Sequence, residues 1–479
     1  MLRKLAGNTL FGLVGTTAQR ALLLVTTLVL ARGLGQDGFG TYSFVGIFIF
    51  FFAFVVDLGM ERVVTRELSQ APRRIGRIIG NAIVLKLTLS AVAIPAACFV
   101  AWLMGVPSET RYCIFVAALG LPLSIEALFR AYFQSQYEAK YIYAVTFPGG
   151  VLFLALIGIC LAWSLPLYAV FYAALASGAV TLTFLMALTW RRIRPVLWPD
   201  LALQKALLQD AAEVGLFVLL FMLSLRIDQI LLFKLRGAVE VGRYAVAVRI
   251  TEALSILPEG LMMTVFPVLA SSLHSAPERF HHTYRLSFKY LSAVILPIAL
   301  LLTMTRLEFV QIVFGQQYSN SAEPLALLAW GMFFAYTGAV YLNLFIVQHR
   351  QRLLLFVSVI AMSVNIIANL VLIPSYGATG AALAMVIGNL AGFACWTLHP
   401  ATAPFMSVCI AEAARPLVAV GLAWLVATLS SLHGIAAAGL ALLIYVGCMA
   451  LSGGFSRSDI DLVRRLFAAE PPASTEMHA

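Results

Sequence analysis

Fourteen stretches of this chain are each apolar for about twenty residues, the length an α-helix needs to cross the ~30 Å hydrocarbon core of a bilayer. They centre on residues 9–31, 42–60, 82–104, 112–131, 143–163, 166–190, 212–233, 244–268, 288–305, 325–347, 353–373, 377–398, 412–430 and 433–452. Such runs leave few structural options. In lipid every backbone N–H and C=O must be bonded internally, so only helices and closed barrels span a membrane. A barrel strand reads as about ten residues of alternating character, not as a continuous run. Composition agrees: of 479 residues, 61% are hydrophobic and 11% charged, against about 25% charged in soluble proteins. Mean hydropathy is +0.93. The expected fold is an all-α polytopic membrane protein with 14 transmembrane helices. The first run follows Arg3 and Lys4 like a signal peptide, but Arg20 interrupts it and no small-residue cleavage site follows. It is expected to be an uncleaved first span.

A net charge of +10 in a soluble protein would suggest nucleic acid; here basic residues report orientation instead. With the N-terminus in the cytoplasm, cytoplasmic segments hold 22 Lys and Arg and outer loops hold 6 (Arg32, Arg111, Lys234, Arg236, Arg243 and Arg306). Both termini are therefore expected inside, with no nucleic-acid partner. The cations are 26 Arg and 6 Lys, a bias that fits a GC-rich bacterial genome. Three segments read as interfacial. Residues 61–80 are Arg-rich and amphipathic, and 194–206 carry Trp198 and Lys205. Residues 458–467 open on Ser458-x-x-Asp461 and align Ile460, Val463 and Phe467. The last twelve residues, with Pro471-Pro472, read as disordered. All six cysteines lie within or at the ends of apolar runs, so buried free thiols fit best, although Cys98 and Cys113 flank one short loop and have the spacing to bridge. His281-His282 reads as a solvated pair in a polar loop, and no metal site or cofactor is expected.

The chain also repeats itself. LGQDGFGTY (34–42) aligns with RGAVEVGRY (236–244) at an offset of 202, matching Gly35, Gly40 and Tyr42 to Gly237, Gly242 and Tyr244, and in the same register Asp57 to Glu259. PLYAVFYAALA (166–176) aligns with PSYGATGAALA (374–384) at an offset of 208 with six of eleven positions identical. Two similar offsets argue for a duplication of about 200 residues. Six spans per copy is even, so the copies share orientation and form parallel repeats. The expected organisation is an N-lobe over 1–205 (spans 1–6), a C-lobe over 206–405 (spans 7–12), two further spans over 406–455, and a cytoplasmic amphipathic helix with its tail over 456–479.

A charge at the bilayer centre costs about 2.5–3.5 kcal/mol. Arg20, Lys86, Arg226 and Arg249 must therefore face partners, water or a ligand. Local spacing pairs Glu126 with Arg130 (i,i+4) and Arg249 with Glu252 (i,i+3). The Arg249 face continues through Ser255 and Glu259. Ser358, Asn365 and Asn369 form another polar stripe; Thr16, Arg20 and Thr27 form a third; Lys86 sits with Ser90. Asp228 points away from Arg226 and is expected to pair across helices. Stripes on several helices imply a common hydrated cavity, the alternative being interhelical ion pairs and hydrogen bonds. Both readings stand for Arg130, Glu126 and Arg249; Arg20 and Lys86, with no local acid, favour the cavity. Cations suit an anionic ligand, and amide and hydroxyl stripes suit a polyol, so the combination reads as phosphate attached to sugar. The acids Asp57, Glu126, Asp228, Glu252 and Glu259 are expected to pair these cations or to carry an ion-coupling step. Tyr132, Tyr137, Tyr168, Tyr172, Tyr336 and Tyr341 either stack on sugars or anchor at the bilayer interface.

Several of these residues resemble a known family. Ala31-Arg32-Gly33-Leu34-Gly35, Phe39-Gly40-x-Tyr42, Asp57-Leu58-Gly59 and Arg66-Glu67 resemble the opening of the polysaccharide biosynthesis (Wzx-type) flippases. Ile227-Asp228-Gln229, Val241-Gly242-x-Tyr244-x-x-Ala247-x-Arg249, Phe266-Pro267 and Tyr376-Gly377-Ala378-x-Gly380-Ala381-Ala382 resemble their later spans. The resemblance implies two six-helix lobes around a central cavity, alternating between inward and outward openings. It implies a transporter rather than an enzyme. The substrate would be an undecaprenyl-pyrophosphate-linked oligosaccharide (O-antigen, capsule or exopolysaccharide) carried to the outer leaflet of the bacterial inner membrane. Membrane lipids, a polysaccharide polymerase and chain-length proteins would be its partners. Arg20, Lys86, Arg226 and Arg249 would then bind pyrophosphate, and Ser358, Asn365 and Asn369 would contact sugar. The family shares a superfamily (MOP) with multidrug (MATE) exporters and lipid II flippases, and these are the alternatives. A drug antiporter depends on cavity acids; a lipid II flippase has a basic cavity with an arginine in its first span, which Arg20 matches in kind. A membrane polymerase or acyltransferase would need long outer loops or a His/Asp constellation.

Overall fold

Every described element of the computed structural model is a helix. The structure describes residues 2–70, 72–273, 275–399, 403–430 and 432–454. In chain order the helices are α1 Leu2–Asp57, α2 Met60–Gln70, α3 Ile75–Leu103, α4 Ser108–Ala118, α5 Glu126–Ser135, α6 Ala139–Ala162, α7 Tyr168–Trp190, α8 Leu201–Arg236, α9 Ala238–Ala253, α10 Ile256–Ser272, α11 Pro277–Met304, α12 Arg306–Phe314, α13 Ala322–Val347, α14 Gln351–Leu398, α15 Ala403–Leu429 and α16 Gly434–Leu451. The expected helix over 458–467 and the tail beyond it lie outside the described residues.

Eleven segments among the described residues are long and apolar enough to cross a membrane. Two of these segments each cover two of the fourteen expected windows. At 1.5 Å per residue a straight α1 would be about 84 Å long, more than twice the hydrocarbon core. It is instead two helical halves either side of Gly35, whose φ of 72° and ψ of −178° are non-helical. The halves of α14 meet in the same way at Gly377 (φ 53°, ψ −128°). α8 covers the seventh window, and part of its length lies outside the described side chains.

Glycines that the sequence alignment matches behave alike in the backbone. Gly35 and Gly237, matched at the 202 offset, share one conformation: φ 72°, ψ −178° and φ 85°, ψ −177°. That region is open essentially only to glycine. The same offset pairs Gly40 with Gly242, and these two residues meet. A Cβ on Gly40 would collide with the Ala238 carbonyl and the Gly242 nitrogen, and a Cβ on Gly242 with the Gln36 carbonyl. Gln36 and Ala238 are themselves a matched pair, so α1 and α9 cross at a reciprocal backbone-to-backbone contact, the kind only small residues permit. The matched cations Arg32 and Lys234 also play one role. Arg32 donates to the carbonyls of Val313 (2.9 Å) and Ile312 (2.5 Å) near the end of α12. Lys234 donates to the Met104 carbonyl at the end of α3. Each puts positive charge where a helix leaves its last carbonyls unsatisfied.

The described residues divide into two compact units: Met1–Ala253 with Val310–Pro324 and Met362–Gly388, and Leu254–Phe309 with Leu325–Ala361 and Asn389–Ala479. In the first, Met60, Val63, Val64 and Leu68 of α2 are buried in a core with Leu128, Phe129 and Phe133 of α5 and Leu207 of α8. α2 is amphipathic as expected, but its apolar face is covered by protein rather than by the bilayer interface. In the expected interfacial segment Trp198 is 81% exposed, while Val196 lies against the α3 backbone at Gly80 and Leu203 packs on the same core as α2. In the second unit Trp396 stacks on Tyr341 and Phe345, with centroids 5.7 and 5.1 Å apart. His281 is not in a loop. Pro277 occupies the first turn of α11, where its missing N–H costs nothing, and the helix carries the His281 ring to 2.8 Å from the Tyr284 hydroxyl. All six cysteines are free, so Cys98 and Cys113 are not bridged.

Candidate functional site

The reversal at Gly237 lays α9 against α8 and gathers side chains from both. Arg226 and Arg249 converge on one acid. Arg226 Nη2 lies 2.6 Å from Glu252 Oε1, and Arg249 Nη1 lies 3.1 Å from Glu252 Oε2. The i,i+3 spacing predicted the second pair but not the first. Each carboxylate oxygen takes one guanidinium, so two positive charges are held side by side by a single negative one. The three side chains are 27%, 32% and 35% exposed respectively, neither sealed nor fully hydrated. A guanidinium has five N–H donors, and Glu252 engages only part of each fork. Each guanidinium therefore keeps N–H donors that Glu252 does not take. Asp228 is bonded to neither arginine, but its carboxyl lies within electrostatic reach of Arg226 and Glu252. That residue is buried, accepts from the Tyr244 hydroxyl of α9, and takes the Gln229 N–H at 2.8 Å.

A second charged cluster surrounds the tight turn at Leu58-Gly59, where both residues have positive φ. Lys86, which is fully buried, donates to Asp57 Oδ1 at 2.5 Å and to the Ser124 carbonyl at 2.9 Å. Arg130 bridges Glu126 (3.0 Å) and Glu61 (3.1 Å), and Gln134 reaches Glu61 at 3.4 Å. A cavity of about 540 Å³ opens beside it, with Asp57, Glu61, Arg62 and Gln134 in its wall. Here cations and acids balance, Lys86, Arg130 and Arg62 against Asp57, Glu61 and Glu126. The cluster therefore offers an anion no net attraction.

The remaining expected site residues lie on several helices. Arg20 is exposed on α1, near Thr16 and Gln19, which bond across to Tyr143 (2.9 Å) and Thr146 of α6. Asn365 and Asn369 are buried on α14, and the Asn369 amide donates to the Asn365 backbone and side-chain oxygens at 2.9 and 3.0 Å. Ser358 and Glu259 belong to the other unit, where Glu259 accepts from Ser255 at 2.9 Å. Among the tyrosines, Tyr132, Tyr336 and Tyr341 are buried while Tyr137, Tyr168 and Tyr172 are exposed. Sequence reasoning missed Glu240. Its carboxylate accepts from the Ala378 N–H (2.6 Å), just past the Gly377 kink, and from Arg243 (2.5 Å). It fastens α14 to α9, and nothing in local spacing links residues 138 positions apart.

The sequence profile of a family described as "polysaccharide biosynthesis protein" matches residues 5–273. No curated protein matches the chain. Among solved structures, the lipid II flippase MurJ in an inward closed conformation is 13% identical, with a TM-score of 0.74 over 95% of this chain and 100% of that one. A multidrug resistance MATE family transporter of the MOP superfamily, inward-facing, is 17% identical, with a TM-score of 0.63 over 82% of this chain and 95% of that one. The Vibrio cholerae MATE transporter VcmN is 14% identical, with a TM-score of 0.54 over 85% and 98%. At these identities the likeness is one of fold.

Proposed function

The chain belongs to the polysaccharide biosynthesis protein family, and on that premise we propose that this multi-pass membrane protein is a flippase. It carries an undecaprenyl-pyrophosphate-linked oligosaccharide, the repeat unit of an O-antigen, capsule or exopolysaccharide, from the cytoplasmic to the outer leaflet of a bacterial inner membrane by alternating access. The observation that supports this most is the trio Arg226, Arg249 and Glu252. The pyrophosphate enters as the second anion, taking the guanidinium edges that Glu252 does not use. Arginine suits this role because its planar fork matches phosphate oxygens bidentately. Arg20 is a second pyrophosphate contact, on α1. Lys86 is assigned instead to holding α3 on α1 through Asp57. No bond is made or broken, so no catalytic group or cofactor is needed. The isoprenoid tail stays in lipid while the headgroup crosses, and a polymerase takes the product on the outer side.

Charge-assisted hydrogen bonds contribute about 1.5–3 kcal/mol each. Arg226→Gln is thus expected to lower transport by about 10- to 100-fold while protein remains in the membrane. The readout is surface glycan and the pool of lipid-linked oligosaccharide in cells carrying the variant. Normal surface glycan from Arg226→Gln would remove the site from the proposal. A small-molecule antiporter is the second reading, supported by the buried acid Asp228. It predicts the opposite sensitivity, with Asp228→Asn abolishing transport and Arg226→Gln tolerated.

A further inference from the structure

A cavity of about 1070 Å³ lies in the first unit, and neither charged cluster contributes to its wall. Four places in the chain line it: α1 just after the Gly35 break, residues 104–110 leading into α4, residues 166–168 at the start of α7, and residues 233–238 between α8 and α9. The basic-residue count puts all four on the outer side of the membrane. The volume lies just above the 300–1,000 Å³ typical of small-ligand sites, roomy enough for several linked rings.

Its chemistry differs from that of the Arg226–Arg249 seat. Two exposed carboxylates, Asp37 and Glu109, stand in the wall. The one lining cation, Lys234, is committed to the Met104 carbonyl, itself part of the wall. The lining is therefore net negative and rich in acceptors. It also presents two aromatic faces. Tyr112 and Tyr168 stand at 89° with centroids 5.3 Å apart, 44% and 40% exposed. The Tyr112 hydroxyl bonds that of Tyr172 at 2.9 Å, which fixes its ring. Exposed tyrosines at span ends usually anchor at the bilayer interface. Here two of them join carboxylates in one concave wall, which an anchor does not need.

Carboxylates accept from hydroxyl or ammonium donors and offer no donor of their own. Aromatic faces pack the C–H faces of a sugar ring and keep a polar edge. Like charge across such a surface is costly and excludes the wrong partner. We infer that this cavity is a saccharide-binding site selective for neutral or amino-bearing sugars over acidic ones, engaging the glycan on the outer side. The inference rests on the flippase reading for the identity of the glycan, but not for the chemistry of the site.

The test uses the full-length protein in nanodiscs and isothermal titration. The probes are oligosaccharides released by mild hydrolysis from the host's own surface polysaccharide, with maltotriose, chitotriose and trigalacturonic acid as defined comparators. Saturable binding of the host oligosaccharide or of a neutral or amino trisaccharide is expected, with trigalacturonic acid at least about tenfold weaker. The double variant Asp37→Asn/Glu109→Gln, whose changes are exposed and isosteric, should narrow that gap. Tyr112→Ala should weaken binding about tenfold, and Arg226→Gln should leave it unchanged. The inference is overturned if the wild-type protein binds none of the probes, prefers the acidic one, or binds identically in the cavity variants. If cavity variants bind normally while Arg226→Gln stops transport, this inference fails and the flippase reading stands. If cavity variants lose binding while Arg226→Gln exports glycan normally, the assignment of the pyrophosphate to Arg226 and Arg249 fails and the saccharide site stands.

Discussion

Lys86→Met would strip Asp57 of its ion-pair partner beside the cavity it shares with Glu61, Arg62 and Gln134. Breaking a fully buried pair costs about 3–5 kcal/mol. Asp57 is 27% exposed and can be partly hydrated, so the expected loss is about 3 kcal/mol or less. It should appear as a lowered Tm in detergent, and Lys86→Met/Asp57→Leu should recover most of it. A double variant no more stable than the single one would mean that the pair is not what Lys86 serves. Arg249–Glu252 and Glu126–Arg130 were legible in the sequence because helical spacing alone brings them together. Lys86–Asp57 and Arg226–Glu252 were not, because those contacts exist only once helices pack, and an acid at a span end has many possible partners. The same limit hid the grouping of Tyr112 with Tyr168 and Tyr172, which lie on two helices.

Helices α1 and α9 meet where two glycines let backbone touch backbone. A methyl group at Gly40 would press on the Ala238 carbonyl, which cannot rotate away as a side chain would. Gly40→Ala is expected to cost about 1–3 kcal/mol, the range for overpacking. A methyl group at Gly46, on the same helix, would have nothing within 4 Å. There Gly46→Ala should be neutral or stabilising by up to about 1 kcal/mol from helix propensity. Thermal melts of the two variants compare contact with propensity on one element; equal shifts would contradict the crossing. At the start of α8, Asp200 accepts from the Leu203 N–H at 3.2 Å and pairs with Arg77. These contacts, the backbone one foremost, hold its carboxyl below the ordinary value of 3.8. A depressed folded-state pKa means that the stabilisation is complete above that ordinary value and is lost as pH falls through the folded one. Asp200→Asn should therefore melt earlier than wild type at neutral pH, and the gap should close in acid. A gap independent of pH would show that the charge is not involved. The all-helical, membrane-spanning character was readable because apolar length is local. The burial of the α2 face against α5 was not, since an amphipathic segment looks the same whether lipid or protein covers it.

Moving a headgroup with about two negative charges outward in an inside-negative cell is favoured by roughly 4–5 kcal/mol per 100 mV. That is about a thousandfold in a leaflet ratio, enough to drive export with no coupling ion. Reconstituted vesicles should therefore distribute lipid-linked oligosaccharide toward the positive side and lose the gradient when the potential is collapsed. A distribution that follows a proton gradient instead would return attention to Asp228 and Glu252. The most direct test asks where the substrate stops. In a deletion strain carrying Arg226→Gln/Arg249→Gln, undecaprenyl-linked oligosaccharides would be extracted and their leaflet determined. The account predicts complete lipid-linked units confined to the cytoplasmic leaflet, with the wild-type gene restoring them to the outer one. Units reaching the outer leaflet normally in the double variant would contradict it.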